Sequence, residues 1–272
     1  MVVSSRFVRA LVALVFVLGA TLTAQAQATQ QEEFVPQVGQ AGKDVVWVPT
    51  PPELVETMLN LAKVTPQDFV MDLGSGDGRN VIAAAKRGAR AVGVEYNGKM
   101  VELSRRSAAA AGVSDRATFI EGDMYEADIS KASVMALFLL PSNMLQLRPK
   151  FLDLRPGSRI VSNTFGIEGW NPDETVTIEQ GCSAWCTALL WIVPAKVGGT
   201  WRVNDSELVL EQQFQMVTGT LGGTAIRDGR LRGDQIRFMV GTAEYTGKVT
   251  GNRIEGTVRS GGPVTMWSAT KN

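Results

Sequence analysis

Between Val45 and Ala195 short apolar runs alternate with stretches whose apolar residues recur at helical spacing, whereas beyond Ala195 the period drops to two. The first rhythm is that of strands and helices taking turns, and the second is that of half-buried strands in an antiparallel sheet. In the first region Phe69-Val70-Met71, Val92-Gly93-Val94, Ala117-Thr118-Phe119-Ile120 and Val134-Met135-Ala136-Leu137-Phe138-Leu139 read as successive strands. The last of these is apolar throughout, as expected of a central parallel strand covered on both faces. Leu54, Val55, Met58, Leu59, Leu61 and Ala62 share one helical face, and Thr50-Pro51-Pro52-Glu53 ahead of them reads as a capping box with proline in the first turn. Asn80 to Arg87 reads as a second helix, stopped by Gly88.

In the second region Leu208, Leu210, Gln212, Phe214 and Met216 alternate with Glu207, Glu211, Gln213 and Gln215, the pattern of one half-buried strand. Gly229-Arg230-Leu231-Arg232-Gly233-Asp234-Gln235-Ile236 is then echoed by Gly247-Lys248-Val249-Thr250-Gly251-Asn252-Arg253-Ile254. Each copy sets a Gly-Asp or Gly-Asn pair between apolar alternations, which predicts hairpins. Residues 196–272 are therefore expected to form a small antiparallel β module, a sheet or a barrel. Such a module is short for an independent core and should lean on its neighbour. Its interior is open to two readings, a ligand site or plain packing.

The sharpest local signal is Asp72-Leu73-Gly74-Ser75-Gly76-Asp77-Gly78, which joins the first strand to the second helix. Glycine tolerates positive φ and lets a ligand approach bare backbone, and a helix N-terminus behind such a turn suits a polar ligand. A dinucleotide fingerprint would need a third glycine where Arg79 stands and would not carry an acid where Asp72 stands. Glu95, at the tip of the second strand, is placed to accept from both hydroxyls of a ribose. After the third strand, Asp123 can accept from an exocyclic adenine amine while Met124 offers a polarisable face to the ring.

These motifs, in this order, resemble those of the class I, seven-stranded methyltransferases that use S-adenosyl-L-methionine, over roughly residues 45–195. Val48-Pro49-Thr50-Pro51 followed by Asp72 to Arg79 is similar to the branch that contains bacterial and mitochondrial protein-lysine methyltransferases. The resemblance implies an α/β, doubly wound, mostly parallel seven-stranded sheet. It also implies that Asp72 with Gly74, Ser75, Gly76 and Gly78 holds the methionine end of the cofactor, Glu95 the ribose, and Asp123 with Met124 the adenine. Thr50 would approach from a preceding flap, although a plain helix start explains it equally well. Trp47 is expected to pack in the core, with a lid as the alternative.

At the carboxyl edge of the fourth strand, Leu140-Pro141-Ser142-Asn143 does not match the Asn- or Asp-proline motif of several amino-group methyltransferases. Pro141, Ser142, Asn143 and Tyr125, with Glu53, are the polar or edge positions where an acceptor is expected, and helix capping is the competing role for Ser142 and Asn143. No catalytic base is assigned, because methyl transfer from a sulfonium needs positioning more than proton transfer.

Arg6 and Arg9 precede the apolar stretch Ala10 to Leu18, and Ala24-Gln25-Ala26 follows. This is the layout of a secretory signal, with cleavage expected after Ala26, or else of an uncleaved anchor. Residues 1–26 are thus expected to be a signal peptide and 27–44 a flexible polar lead, and the body is placed outside the cytoplasm, in the periplasm, with no stable membrane span after cleavage. Cys182 and Cys186, the only cysteines, lie between two runs that read as paired strands, and a disulfide is expected of them in an oxidising compartment.

With no histidine and two thiols, metal binding and Ser-His-Asp or Cys-His catalysis are not expected. Lys and Arg balance Asp and Glu at 27 each, which gives no reason to expect a nucleic-acid substrate. Three readings follow: an exported methyltransferase acting on an unidentified acceptor such as a protein amine, an exported nucleoside-binding protein without turnover, and an envelope interaction protein acting through its β module.

Overall fold

The computed structural model describes residues 34–180 and 182–271. The leader read as a signal peptide lies outside them, as does Gly181. The α/β part contains α1 (Pro52–Leu61), β1 (Phe69–Leu73), α2 (Arg79–Lys86), β2 (Arg90–Glu95), α3 (Gly98–Ala110), β3 (Ala117–Glu121), β4 (Val134–Leu137), α4 (Pro141–Leu152), β5 (Arg159–Asn163), β6 (Glu174–Thr177) and β7 (Thr187–Ile192). Its seven strands are ordered β3-β2-β1-β4-β5-β7-β6. Strands β1 to β5 pair in parallel, and β7 runs against both β5 and β6, so the sheet is mixed.

Strand alternation divides two cores between the faces. Val70, Val134, Ala136 and Val161 pack under α1, α2 and α3 with Leu54, Met58, Val81 and Val101. Met71, Leu73, Met135, Leu137 and Ile160 face the other way, against Met144, Leu147 and Phe151 of α4. All four residues of β4 are buried, as a strand with both faces covered must be. Among the described residues no helix is long and apolar enough to cross a membrane.

The expected capping box at α1 does not form. The N-cap is Pro51, in extended backbone and without a side-chain cap bond. The Thr50 hydroxyl accepts from buried Asn163 instead, at 3.3 Å. Proline at Pro51 fixes φ near −54° and makes the turn into the helix without a side-chain acceptor.

The second region is a closed eight-stranded barrel, β8 (Gly199–Val203), β9 (Ser206–Gln213), β10 (Met216–Leu221), β11 (Thr224–Arg232), β12 (Gln235–Val240), β13 (Ala243–Thr250), β14 (Arg253–Arg259) and β15 (Thr265–Lys271). Gly233-Asp234 turns β11 into β12 and Gly251-Asn252 turns β13 into β14, where hairpins are expected. Trp201, Leu208, Leu231, Ile236, Phe238, Ile254 and Trp267 fill the interior, which favours packing over a ligand held inside it.

The alternation read as one strand from Leu208 to Met216 is broken in two. Phe214 takes a positive φ of 53° and turns β9 into β10. Its ring stacks on Trp170 with centroids 5.5 Å apart, and the Gln215 side chain donates to the Asn171 carbonyl at 2.8 Å. A partner in the α/β part thus outweighs the local rhythm. The Asp173 carboxylate continues the joint: its side chain is 1% exposed and accepts from Arg230 of the barrel and from the Ile192 amide, at 2.7 and 2.8 Å. The barrel leans on the β6–β7 end of the sheet, as its size demands.

Candidate functional site

Residues that follow the carboxyl ends of β1, β2, β3 and β4 surround a cavity of about 330 Å³, a volume suited to a small organic ligand. Gly74, Gly76 and Gly78 take φ of 67°, 54° and 80°, a region closed to most side chains. The amides of Gly74 and Ser75 donate to the Val94 carbonyl at 2.8 and 3.0 Å, which ties the loop to the second strand. Gly93 on β2 permits this approach, since a Cβ there would come within 2.5 Å of the Ser75 hydroxyl.

Glu95 stands at the end of β2 and grips two backbone amides, Gly76 through Oε2 and Asn97 through Oε1, each at 2.9 Å. A carboxylate has about four acceptor positions. Two of these bonds leave capacity for further donors at the cavity, which Glu95 lines.

Asp72 is 3% exposed, and the Asn80 amide donates to it at 3.1 Å. Burial pushes its carboxyl well above the usual Asp range, and the nearby Glu95 and Asp77 charges push the same way against the Asn80 bond. Among the described residues the Ser75 hydroxyl and the Asn80 Oδ1 are buried with no hydrogen-bond partner, and both residues line the cavity. Such atoms are satisfied when a polar ligand arrives.

Asp123, after β3, accepts from Lys43 and, at 2.8 Å, from the Tyr125 amide. The Lys43 bond chiefly holds its carboxyl below the usual range. Lys43 also lies over the Tyr96 ring, 5.1 Å from its centroid. Met124 is buried and lines the cavity.

Part of the stretch read as a polar lead folds back here: the Gly39 amide donates to the Trp47 carbonyl and the Trp47 amide to the Gln40 carbonyl. Trp47 is half-buried over the glycine loop, not packed in the core, and a Cβ on Gly76 would lie 2.7 Å from its Nε1. The Arg79 guanidinium fastens this flap, donating to the Thr50 carbonyl at 2.6 Å and to Asp77 at 2.9 Å.

The sequence-predicted cofactor residues Thr50, Asp72, Gly74, Ser75, Gly76, Glu95, Asp123 and Met124 all line this one cavity. Gly78 lies behind it, where a Cβ would strike Phe119 and Ser104. The acceptor candidates are placed differently. Pro141 and Ser142 are exposed on the first turn of α4 and outside the lining, and so is Glu53 on α1. Asn143 is buried, with Oδ1 accepting from the Leu140 amide at 3.1 Å and Nδ2 donating to the Tyr125 hydroxyl at 2.7 Å, which is the capping role. Where β4 ends, Phe138, Leu139 and Leu140 form an apolar wall, and Phe165 and Trp185 join it. Sequence reasoning missed Phe165, Trp185, Lys43 and Tyr96; the one available signal was the position of Trp185 between the two cysteines. Cys182 and Cys186 are bridged, with Cα atoms 5.8 Å apart.

The fold and the cavity fit a single cofactor chemistry. A buried carboxyl without a counter-charge among the described residues suits the amino group of a methionine moiety, the free capacity of Glu95 suits ribose hydroxyls, and a half-buried acid beside Met124 suits adenine. A sheet of order β3-β2-β1-β4-β5-β7-β6 carrying such a cavity defines a class I methyltransferase dependent on S-adenosylmethionine.

Residues 72–174 match the family described as ANTKMT methyltransferase domain. A protein-lysine N-methyltransferase of Saccharolobus islandicus (strain REY15A) is 44% identical over 140 residues, which cover 50% of this chain and 87% of that protein. The adenine nucleotide translocase lysine N-methyltransferase of Mus musculus is 38% identical over 120 residues, 43% of this chain, and the match spans about half of that relative, 52% of its length. The crystal structure of an RNA methyltransferase from Salinibacter ruber in complex with S-adenosyl-L-homocysteine superposes with a TM-score of 0.52 at 45% identity, over 55% of this chain and 96% of that one. The chain belongs to the ANTKMT-type family of S-adenosylmethionine-dependent methyltransferases, whose relatives include protein-lysine N-methyltransferases.

Proposed function

We propose that the methyl acceptor is the ε-amino group of a lysine on a protein outside the cytoplasm. The observation that carries this reading is that, among the described residues of the cavity lining, the two cations, Lys43 and Arg79, are both already paired with acids, Asp123 and Asp77. Such a mouth has no spare cation to hold a phosphate backbone, which favours a protein acceptor over a nucleic acid. The names of the archaeal and mouse relatives support the same acceptor class. The Arg-flanked apolar leader supports export, and the Cys182–Cys186 bridge is at home in an oxidising compartment.

When bound, S-adenosylmethionine supplies a methyl group on a cationic sulfur, open to in-line attack by a lone pair. The protein groups position and dehydrate. Phe138, Leu139 and Leu140 give the acceptor end an apolar wall that excludes water. Glu95 fixes Gly76 and Asn97, and with them the loop against which the cofactor rests. Orientation of this kind is the major lever for a displacement that needs no covalent help.

The name of the Salinibacter neighbour favours RNA as a second acceptor class. A transfer assay with labelled S-adenosylmethionine against an envelope protein extract and against total RNA decides between them. Methyl-lysine recovered from the protein fraction is expected. Label confined to RNA would overturn the proposal. For export, a maleimide that does not cross the inner membrane, added to intact cells after reduction, should label Cys182 and Cys186; labelling only after lysis would place the body inside.

A further inference from the structure

Three aromatic rings meet at the cavity from separate parts of the chain, and none belongs to the cofactor set. Phe138 follows β4, Phe165 follows β5, and Trp185 stands in the β6–β7 loop. Their centroids lie 6.0 Å apart for Phe138 and Phe165, 5.8 Å for Phe138 and Trp185, and 5.3 Å for Phe165 and Trp185. All three line the cavity. Trp185 is 40% exposed, so core packing does not account for its position.

The backbone around these rings is held with some effort. Trp185 takes a φ of 59°, a region disfavoured for bulky residues, between the two cysteines of the Cys182–Cys186 bridge. Thr164, just before Phe165, also takes a φ of 59°. The Phe165 amide donates to the Asn163 carbonyl at 2.6 Å, and its carbonyl accepts from the Ser162 hydroxyl at 2.9 Å. Strained backbone beside a cavity points to a function for the groups it presents.

We propose that Phe138, Phe165 and Trp185 form an alkylammonium subsite that takes the acceptor side chain, and that the Cys182–Cys186 bridge holds Trp185 in it. The proposal rests on the amine-acceptor reading above and adds its recognition chemistry. Ring faces attract a cation in proportion to its desolvation, and a methylated ammonium is more easily desolvated than a primary one. An acceptor that has gained one methyl group is therefore retained better than an unmodified one.

The test uses the full chain saturated with S-adenosyl-L-homocysteine, titrated with Nε-trimethyl-lysine and, as neutral control, norleucine. Binding of trimethyl-lysine in preference to norleucine is expected, with loss of about fivefold or more in affinity in Trp185→Ala and partial recovery in Trp185→Phe. The double variant Cys182→Ser/Cys186→Ser should lose affinity as Trp185→Ala does. Cofactor-product affinity should stay unchanged in all three, which shows that the protein is folded and the neighbouring site intact. Equal binding of the two probes, or trimethyl-lysine affinity unaltered by Trp185→Ala, would overturn the subsite. Full affinity in the double cysteine variant would overturn the role of the bridge. Failure here with methyl-lysine formed in the extract assay would sink the subsite and leave the acceptor reading standing. Binding here without methyl-lysine would do the reverse.

Discussion

Replacing Glu95 by Gln separates the two tasks of that side chain. The carboxylate accepts from the Gly76 and Asn97 amides, each at 2.9 Å, and has acceptor positions left for ribose hydroxyls. Glutamine keeps the shape but turns an NH2 group toward one of the two amide donors, so one staple of the glycine loop is lost and the charge with it. A hydrogen bond to a charged group is worth about 1.5–3 kcal/mol. Loss of one such ribose contact should weaken S-adenosylhomocysteine by a factor of about 10 to 150, since about 1.4 kcal/mol is tenfold. Calorimetric titration of wild type and Glu95→Gln with S-adenosylhomocysteine and its 2′,3′-dideoxy analogue reads this directly. The variant should discriminate poorly between the two compounds, and the wild type well. A variant that melts lower yet binds S-adenosylhomocysteine within a factor of about two of wild type would refute the ribose role and leave Glu95 a loop staple.

Because the buried Asp72 carboxyl has a raised pKa, its proton is bound more tightly in the folded chain than in the unfolded one. The stability this confers is complete below the ordinary Asp range and is lost as pH rises through the raised value. Asp72→Asn should therefore melt higher than wild type near neutral pH, with the gain vanishing toward acid pH; a difference in melting temperature independent of pH would count against it. Gly76→Ala introduces a Cβ 2.7 Å from the Trp47 Nε1 at a φ of 54°, so ligand affinity should fall and Trp47→Ala should restore part of it. Strict additivity in that double-mutant cycle, in place of a coupling of about 1 kcal/mol, would mean the flap does not cover the loop. At the barrel joint, Asp173→Ala removes the Arg230 partner and strands the Ile192 amide, at a cost of about 2 kcal/mol in denaturant unfolding. Arg230→Ala, which empties only the half-exposed side, should cost about 1 kcal/mol or less, and equal costs would place the stabilisation in the ion pair itself.

What could be read from the chain alone were the features whose cause is local. A tight turn between Phe69–Leu73 and Arg79–Lys86 needs positive φ at Gly74, Gly76 and Gly78, and only glycine supplies it cheaply. The same holds for the turns at Gly233-Asp234 and Gly251-Asn252, and for β4, whose unbroken apolar run demands cover on both faces. From such signals came the β module and the order of strand, glycine loop and helix, and the family resemblance they carry implied the sheet class and the three acids expected at the cofactor.

Tertiary structure decided whatever depends on a partner far along the chain. Phe214 ends a strand that its own alternation would continue, because Trp170 stacks on it. Thr50 gives up its cap to meet Asn163, and Trp47 leaves the core to cover Gly76. Phe138, Phe165 and Trp185 carry no spacing that relates them, and they meet only because the strand order sets β4, β5 and β7 side by side. Backbone dihedral preferences act over a few residues and leave their mark in sequence order, whereas burial and pairing act through space and leave none.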